Sequence, residues 1–321
     1  MSIKVGVLMD PIQNINYKKD STLAMLWAAQ DRGWDISYLE QSDLYLNEGQ
    51  TRAYSRAIKV FRDPKRWFEF GDQADLPLED FDVILMRKDP PFNNEFIYTT
   101  YLLENAERNG TLVVNRCQSL RDCNEKVFAT EFPDCCPATL VSKNNSHLLF
   151  FLETYKDIIL KPLDGMGGNS VFRVKENDPN LQVILELLTR DGEETIMAQK
   201  YLPEICEGDK RIIMICGKPA PYCLARIPPT GQTRANLAAG GKGIAQKLSD
   251  RDQWIAKQIG SALVEKGLMF VGLDIIGNHL TEINVTSPTG IRELEDQAGL
   301  NLGKELIDAI AKKLNKKSIE A

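Results

Sequence analysis

The sequence predicts an α/β protein whose amino-terminal part is an open parallel sheet and whose remainder, from about residue 120, is α+β. Three observations carry this. Short β-branched runs alternate with helical stretches through residue 115, the pattern of repeated βαβ units. After Pro133 and Pro137 the texture changes to short strands joined by tight turns, with two clear helices among them. The length, 321 residues, implies two or three packed units at roughly 100 to 200 residues per domain.

Residues 3–9 read as a buried strand, and Asp20 caps a helix from Ser21 to Asp31, rich in Leu, Ala and Met, that stops at Gly33. A second strand at 34–39 completes the opening βαβ pattern. Asp82 to Met86 and Thr111 to Asn115 are two further strands, separated by a helix over 94–108. Ligands of open α/β sheets bind beyond the carboxyl ends of the strands, which is where Met9-Asp10-Pro11 and Arg87-Lys88-Asp89-Pro90-Pro91 fall. Ser119 and Asp122 suit a capping box that opens a helix carrying Lys126. Helices follow near 178–190 and 249–266, and the last, about 302–315, ends in lysines that complement its dipole.

Composition narrows the function classes. Lys plus Arg is 39 and Asp plus Glu is 45, a formal charge of -6, so there is no basic excess to bind a nucleic acid or an anionic membrane. No apolar run approaches the ~18 residues of a membrane span, and SIKVGVLMDP is too short and wrongly flanked for a signal peptide. A cytoplasmic protein with reduced thiols is expected, because the seven cysteines include no C-x-x-C. With only His147 and His279, a histidine triad or a multi-histidine zinc site is excluded, and any metal must be a hard cation on oxygen ligands.

The strongest chemical signal is DIILKPLDGMGGNSVFRV, residues 157–174. It is neither a Walker loop nor a dinucleotide fingerprint, because both need a helix after the glycines. Gly165, Gly167 and Gly168 instead lie between two strands, a flexible hairpin whose amides can fold over phosphates, and Lys161 closes the first strand within reach of them. In FVGLDIIGNHLTEINVT, residues 270–286, Glu282 and Asn284 share a face. Asp274 joins them if the loop has three residues, 277–279; with a two-residue loop it would oppose Thr281 and point away. The odd-length loop is the expectation, because three oxygen ligands on one face suit Mg²⁺ completed by phosphates and water. In DKRIIMICGKPAPYCLAR, residues 209–226, a Gly217-Lys218 turn puts Asp209 and Arg211 on a face with Leu224 and Arg226. Beside phosphate chemistry, the two arginines are candidates to stabilise charge on transferring oxygens. Backbone groups of TIMAQKYLPE, 195–204, can bond an adenine edge with Ile196 and Leu202 flanking the ring, and core packing of these residues fits the sequence equally well. The stretch 227–243, with four glycines and no hydrophobic period, reads as a mobile lid.

In order along the chain, these pieces resemble the ATP-grasp ligases, and the strings MDPIQNIN, DVILMRKDPPF, EFIYTTYLLE, SLRDCNEK, IILKPLDGMGG, PYCLARIP, NLAAGG and LTEINVTSPTGIRE resemble the bacterial glutathione synthetase family from one end to the other. Ala235, where a glycine is expected before NLAAGG, and Gly290 depart from the family pattern. The resemblance implies an ATP-grasp fold in three units: a substrate-binding domain over 1–120, a central lid subdomain over 121–202, and a catalytic domain over 203–321. It implies ATP, γ-glutamylcysteine and glycine as substrates, two Mg²⁺ ions with Mn²⁺ as an alternative, and a homotetramer. Lys126 and Lys161 would hold phosphates with Gly165, Gly167 and Gly168. Gln199, Tyr201, Leu202, Asp209 and Asn284 would complete the nucleotide site, with Asp209 on the ribose, and Asp274, Glu282 and Asn284 would bind metal. Arg211 and Arg226 would act on the acyl phosphate and tetrahedral intermediate, while Asp20, Ser21, Arg87, Ser287, Pro288 and Thr289 would hold the dipeptide. Phosphoryl transfer asks for positioning and charge neutralisation more than for a protein base, which suits a chain with two histidines.

Overall fold

The computed structural model describes residues 2–229 and 241–320, and its strands fall into three sheets. The first begins with β1 (Lys4–Met9), buried throughout after Lys4. α1 (Ser21–Asp31) starts where expected because Asp20 Oδ1 accepts the Leu23 amide at 2.6 Å. Then come β2 (Asp35–Leu39), β3 (Leu44–Asn47), β4 (Gln50–Val60), β5 (Phe68–Pro77), β6 (Val83–Arg87), α2 (Asn94–Arg108) and β7 (Leu112–Val114). The neighbours β2-β1-β6-β7 are parallel, as the βαβ pattern predicts, while β3, β4 and β5 add an antiparallel extension through β2. The sequence pattern does not show that extension. The buried positions of β4 are small or polar as often as apolar (Thr51, Ala53, Ser55), and an irregularity between Arg56 and Ile58 breaks their alternation.

α3 (Cys117–Asp122) corrects the expected capping box. Ser119 lies inside this helix and donates its hydroxyl proton to the Lys266 carbonyl, and the helix stops four residues short of Lys126. Lys126 sits in a turn because Asn124 Oδ1 accepts the amides of Lys126 and Val127, each at 3.1 Å, which competes with helix continuation. The second sheet contains β8 (Thr139–Ser142), β9 (Asp157–Pro162), β10 (Phe172–Lys175) and β11 (Ile196–Lys200) in the order β10-β9-β11-β8, with α4 (Asn145–Tyr155) and α5 (Leu181–Thr189). Leu148, Phe151, Ile184 and Leu188 of these helices pack on Ile158, Leu160 and Ile196. Ile196 is therefore core and does not flank a ligand.

The third sheet orders β14-β13-β12-β15-β16, built from β12 (Asp209–Ile215), β13 (Lys218–Ile227), β14 (Lys242–Lys247), β15 (Phe270–Ile276) and β16 (His279–Asn284). α6 (Asp250–Glu265) opens with a Ser249 and Asp252 capping box, and α7 (Ile291–Ala298) and α8 (Leu302–Glu320) close the fold. Asn115 ties this sheet to the first: its Nδ2 donates to the carbonyls of Phe270 and Val285 at 2.7 Å each, and its Oδ1 accepts the Phe270 amide at 2.9 Å. Of the expected lid, Ile227, Lys242 and Gly243 are paired residues of β13 and β14 rather than loop, and 230–240 lie outside the described residues. No described helix is long and apolar enough to cross a membrane.

Candidate active site

Two hairpins of the third sheet place the charged cluster. The β15-β16 turn has two residues, Gly277 and Asn278, not the three expected. An irregularity after Asp274 nevertheless restores the face: Ile275 pairs with Leu280 but Asp274 pairs with Glu282, leaving Thr281 as the extra residue, and Gly272 pairs with Asn284. In the β12-β13 hairpin the turn is Cys216-Gly217, one residue earlier than expected, and an irregularity between Ile212 and Met214 again compensates. Asp209 thus pairs with Arg226 and Arg211 with Leu224. Arg211 faces Asp274 across β12 and β15. Its Nε lies 2.5 Å from Asp274 Oδ1 and its Nη2 2.9 Å from Oδ2, while Nη1 donates to the Thr289 carbonyl at 3.2 Å. Arg226 Nη2 bridges Asp209 Oδ2 at 2.5 Å and Asp274 Oδ2 at 2.8 Å.

Between the second and third sheets runs a cleft lined by Lys126, Lys161, Gly165, Gly167, Gly168, Gln199, Tyr201, Leu202, Asp209, Asp274 and Glu282, together with Ile159 and Ile276. The sequence-derived nucleotide residues other than Asn284 therefore converge on it. The glycine loop joins β9 to β10, which pair antiparallel, and Gly167 and Gly168 take φ of 66° and 76°. Lys126 Nζ donates to the Gly165 carbonyl at 2.7 Å and pairs with Glu282 Oε1 at 3.0 Å, so the loop is moored to the carboxylates. Asn284 Nδ2 donates to the Gly272 carbonyl at 3.2 Å, which leaves its Oδ1 for another partner. Among the described residues no three His, Cys, Asp or Glu side chains form a metal cluster; two carboxylates and the Asn284 amide are the oxygen donors here.

A second cavity adjoins the cleft and shares Met166, Gly167, Asp274 and Glu282 with it. Arg211, Arg226, Asn284, Ser287, Pro288, Thr289 and Asp20 line it as expected. Its outer wall comes from the carboxyl ends of β1 and β6, where the two Asp-Pro loops clip together: Lys88 pairs with Asp10 at 2.8 Å and the Asp89 amide donates to Asp10 Oδ2 at 2.9 Å. Two expected substrate residues stand behind the wall. Ser21 Oγ accepts the Ile291 amide at 3.3 Å, and Arg87 donates from Nε to Thr22 Oγ1 and from Nη2 to the Pro288 carbonyl, its Nη1 buried without a partner among the described residues. Sequence reasoning missed Asn16, Lys19, Glu125 and Glu293, all in the lining. Glu125 stands next to Lys126 and Glu293 two residues beyond Ile291; neither carries a spacing signal of its own. Glu125 Oε1 accepts the Val285 and Thr286 amides and the Thr286 hydroxyl at 2.8 to 3.0 Å.

Burial sharpens the electrostatics. It would raise the Asp274 carboxyl, but Arg211 and Arg226 override it and hold the group far below the carboxylate range. Asp209 goes the other way, pushed up to about 6 by burial against the pull of Arg226 and with repulsion from Asp274. Burial drives Lys161 below the usual lysine range in spite of Glu282, whereas Lys126, also buried, is held above it by Glu282. Four cations and three carboxylates thus face one junction, where anionic oxygens can be fixed from both sides.

Comparison with known proteins agrees with this geometry. Residues 3–121 match the family model "Prokaryotic glutathione synthetase, N-terminal domain", and residues 125–299 match "Prokaryotic glutathione synthetase, ATP-grasp domain". The chain is 65% identical over 314 residues to a glutathione synthetase of Pseudomonas syringae pv. tomato, covering 98% of both chains, and 59% identical over 312 residues to that of Escherichia coli strain K12, covering 97% and 99%. In fold it is similar to the D-cycloserine synthetase DcsG, with TM-score 0.69 at 12% identity over 97% and 99% of the two chains. It is also similar to the ATP-grasp ligase PsnB solved with a minimal precursor, Mg and ADP, with TM-score 0.60 at 15% identity over 97% and 98%.

Proposed function

Because the chain belongs to the prokaryotic glutathione synthetase family and is an ATP-grasp ligase that forms glutathione with ATP, we propose that its first cleft takes ATP and its second cavity takes γ-glutamylcysteine and glycine. The observation that carries this assignment is the junction: the two cavities share Gly167, Asp274 and Glu282, so a terminal phosphate held in one reaches a carboxylate held in the other. In this scheme an oxygen of the cysteinyl carboxylate attacks the γ-phosphorus and ADP leaves. The glycine amine then attacks the acyl carbon, and phosphate departs with that oxygen.

Lys126, Lys161 and the backbone of Gly165, Gly167 and Gly168 hold the phosphates, and Gln199, Tyr201 and Leu202 frame the base. Asp209, whose Oδ1 is buried without a partner among the described residues, takes the ribose. Asp274, Glu282 and Asn284 fit Mg²⁺ or Mn²⁺, since all three offer hard oxygen donors on one face. Two such ions, when bound, would neutralise phosphate charge. Arg211 and Arg226, buried and aimed by Asp274 and Asp209, stabilise charge on the acyl phosphate and on the tetrahedral intermediate. Asp20, Ser287, Pro288 and Thr289 line the dipeptide site; Ser21 and Arg87 support it from behind through α7 and Pro288. The same scheme treats 1–120 as the substrate-binding domain, 121–202 as the lid subdomain and 203–321 as the catalytic domain, in a homotetramer. A cytoplasmic setting is supported by seven free thiols.

A coupled assay of ADP release tests the assignment. Release is expected only when γ-glutamylcysteine is present, with glutathione accumulating once glycine is added. ADP release that ignores both amino-acid substrates would overturn it.

A further inference from the structure

Glu293 is the third residue of α7 and lines the second cavity, with its carboxylate buried in the wall. Among the described residues neither oxygen has a hydrogen-bond donor, although both are shielded from water. Such an orphan is expensive to keep, because a buried carboxylate without a donor forfeits its hydration and regains only the longer-range pull of nearby cations. The position is held from two sides: the Ile291 amide donates to Ser21 Oγ, and Arg211 donates to the Thr289 carbonyl just ahead of the helix. Its charged neighbours are Lys19, Arg292 and Asp296, outside the Arg211, Arg226 and Asp274 cluster. The cavity wall therefore holds a fixed carboxylate without a donor among the described residues, apart from the charges assigned to the reaction.

The complement of that anion is a cation that donates hydrogen bonds, and two amines enter this cavity on the reading above. Glycine must attack through an unprotonated nitrogen, and a carboxylate against it would favour its ammonium form and slow the reaction. The α-amino group of the γ-linked residue never reacts and is charged at neutral pH. We propose that Glu293 selects this α-ammonium group, so that the enzyme discriminates for dipeptides whose γ-linked residue carries a free amine. The inference rests on the assignment of the second cavity to γ-glutamylcysteine and adds its specificity determinant. Glu293 is here a binding residue with no part in the bond-making steps.

The test compares γ-glutamylcysteine with glutaryl-cysteine, which lacks only the α-amino group, in wild type and in Glu293→Gln. A charge-assisted hydrogen bond corresponds to roughly 10- to 150-fold in affinity, so wild type should show a KM for glutaryl-cysteine higher by that factor. Glu293→Gln should raise the KM for γ-glutamylcysteine by a similar factor while leaving those for glutaryl-cysteine and ATP within about threefold. A variant that loses equally on both dipeptides would reduce Glu293 to a structural residue and overturn the proposal. Wild type that uses both dipeptides equally well would overturn it too, a result that does not depend on the variant folding. Wild type that makes no glutathione at all would instead sink the assignment of the cavity, and the inference with it.

Discussion

Replacing Arg211 by alanine separates positioning from binding. Arg211 and Asp274 are 6% and 3% exposed, and two of the guanidinium nitrogens meet the two carboxylate oxygens at 2.5 and 2.9 Å. Removing the arginine leaves Asp274 with Arg226 alone, at 2.8 Å, and strips the Thr289 carbonyl of its donor. Breaking a buried pair destabilises by about 3 to 5 kcal/mol, and with Arg226 remaining we expect the lower end, about 3 kcal/mol. For a cooperative unit the size of residues 125–299 that is a fall in Tm of roughly 6 to 12 °C. Loss of one donor aimed at developing charge lowers turnover by about a hundredfold. The KM for ATP should change less than about threefold, because the phosphates are assigned to Lys126, Lys161 and the glycine loop. Arg211→Lys keeps the charge but not the two-pronged geometry, so it should recover part of the stability and little of the turnover. The assay is coupled ADP release well below the variant's Tm, beside a thermal melt. Equal losses in turnover and nucleotide affinity would place Arg211 in ground-state binding and refute the assignment.

Three further outcomes follow from the structure. Lys161→Met should raise the KM for ATP at least tenfold, since a charge-assisted contact to phosphate is lost, while thermal stability holds or improves because a buried cation with one 3.4 Å contact to the Thr281 carbonyl is removed; an unchanged KM would take Lys161 out of the phosphate site. Asn115→Ala should lower stability by about 3 kcal/mol or more, because the amide and carbonyl of Phe270 and the carbonyl of Val285 lose their buried partner together; urea unfolding measures it, and a loss under about 1 kcal/mol would contradict the bridging role. Burial, followed by repulsion from Glu282, raises the Glu125 carboxyl above the ordinary value of 4.5. The folded state therefore holds this proton more tightly than the unfolded one, so the contribution is full below pH 4.5 and is lost as pH rises through the folded-state value. Glu125→Gln keeps an acceptor for Val285 and Thr286 and should gain on wild type across that rise; a gap that shrinks with pH would reverse the sign.

Much of the fold and site was legible because it rests on local chemistry. Asp20 announced α1, the glycines of 165–168 announced a loop between strands, and the two-residue spacing of Glu282 and Asn284 fixed their shared face. Asp274 was placed on that face for the wrong local reason. The turn has two residues, and Thr281 as the extra residue in β16 performs the shift assigned to a longer loop. Such irregularities are set by cross-strand packing, which a single strand's sequence does not display. The same limit hid β4, whose first three inward positions are Thr51, Ala53 and Ser55, and moved Lys126 from a helix to a turn, where Asn124 outcompeted the capping pattern. Glu125 and Glu293 were invisible for another reason: each reaches the site only because α7 and the 285–286 backbone fold against distant elements.

The central claim is that the cysteinyl carboxylate is activated by direct phosphoryl transfer at the shared junction. The most direct measurement uses γ-glutamylcysteine labelled with ¹⁸O in its cysteinyl carboxylate, turned over with ATP and glycine and analysed by mass spectrometry of the released phosphate. An acyl phosphate places one carboxylate oxygen between carbon and phosphorus, so each phosphate formed should carry one labelled oxygen and the glutathione amide should keep the other. Phosphate free of label, with both labelled oxygens absent from it at full turnover, would show that the carboxylate never attacked the γ-phosphorus and would contradict the account.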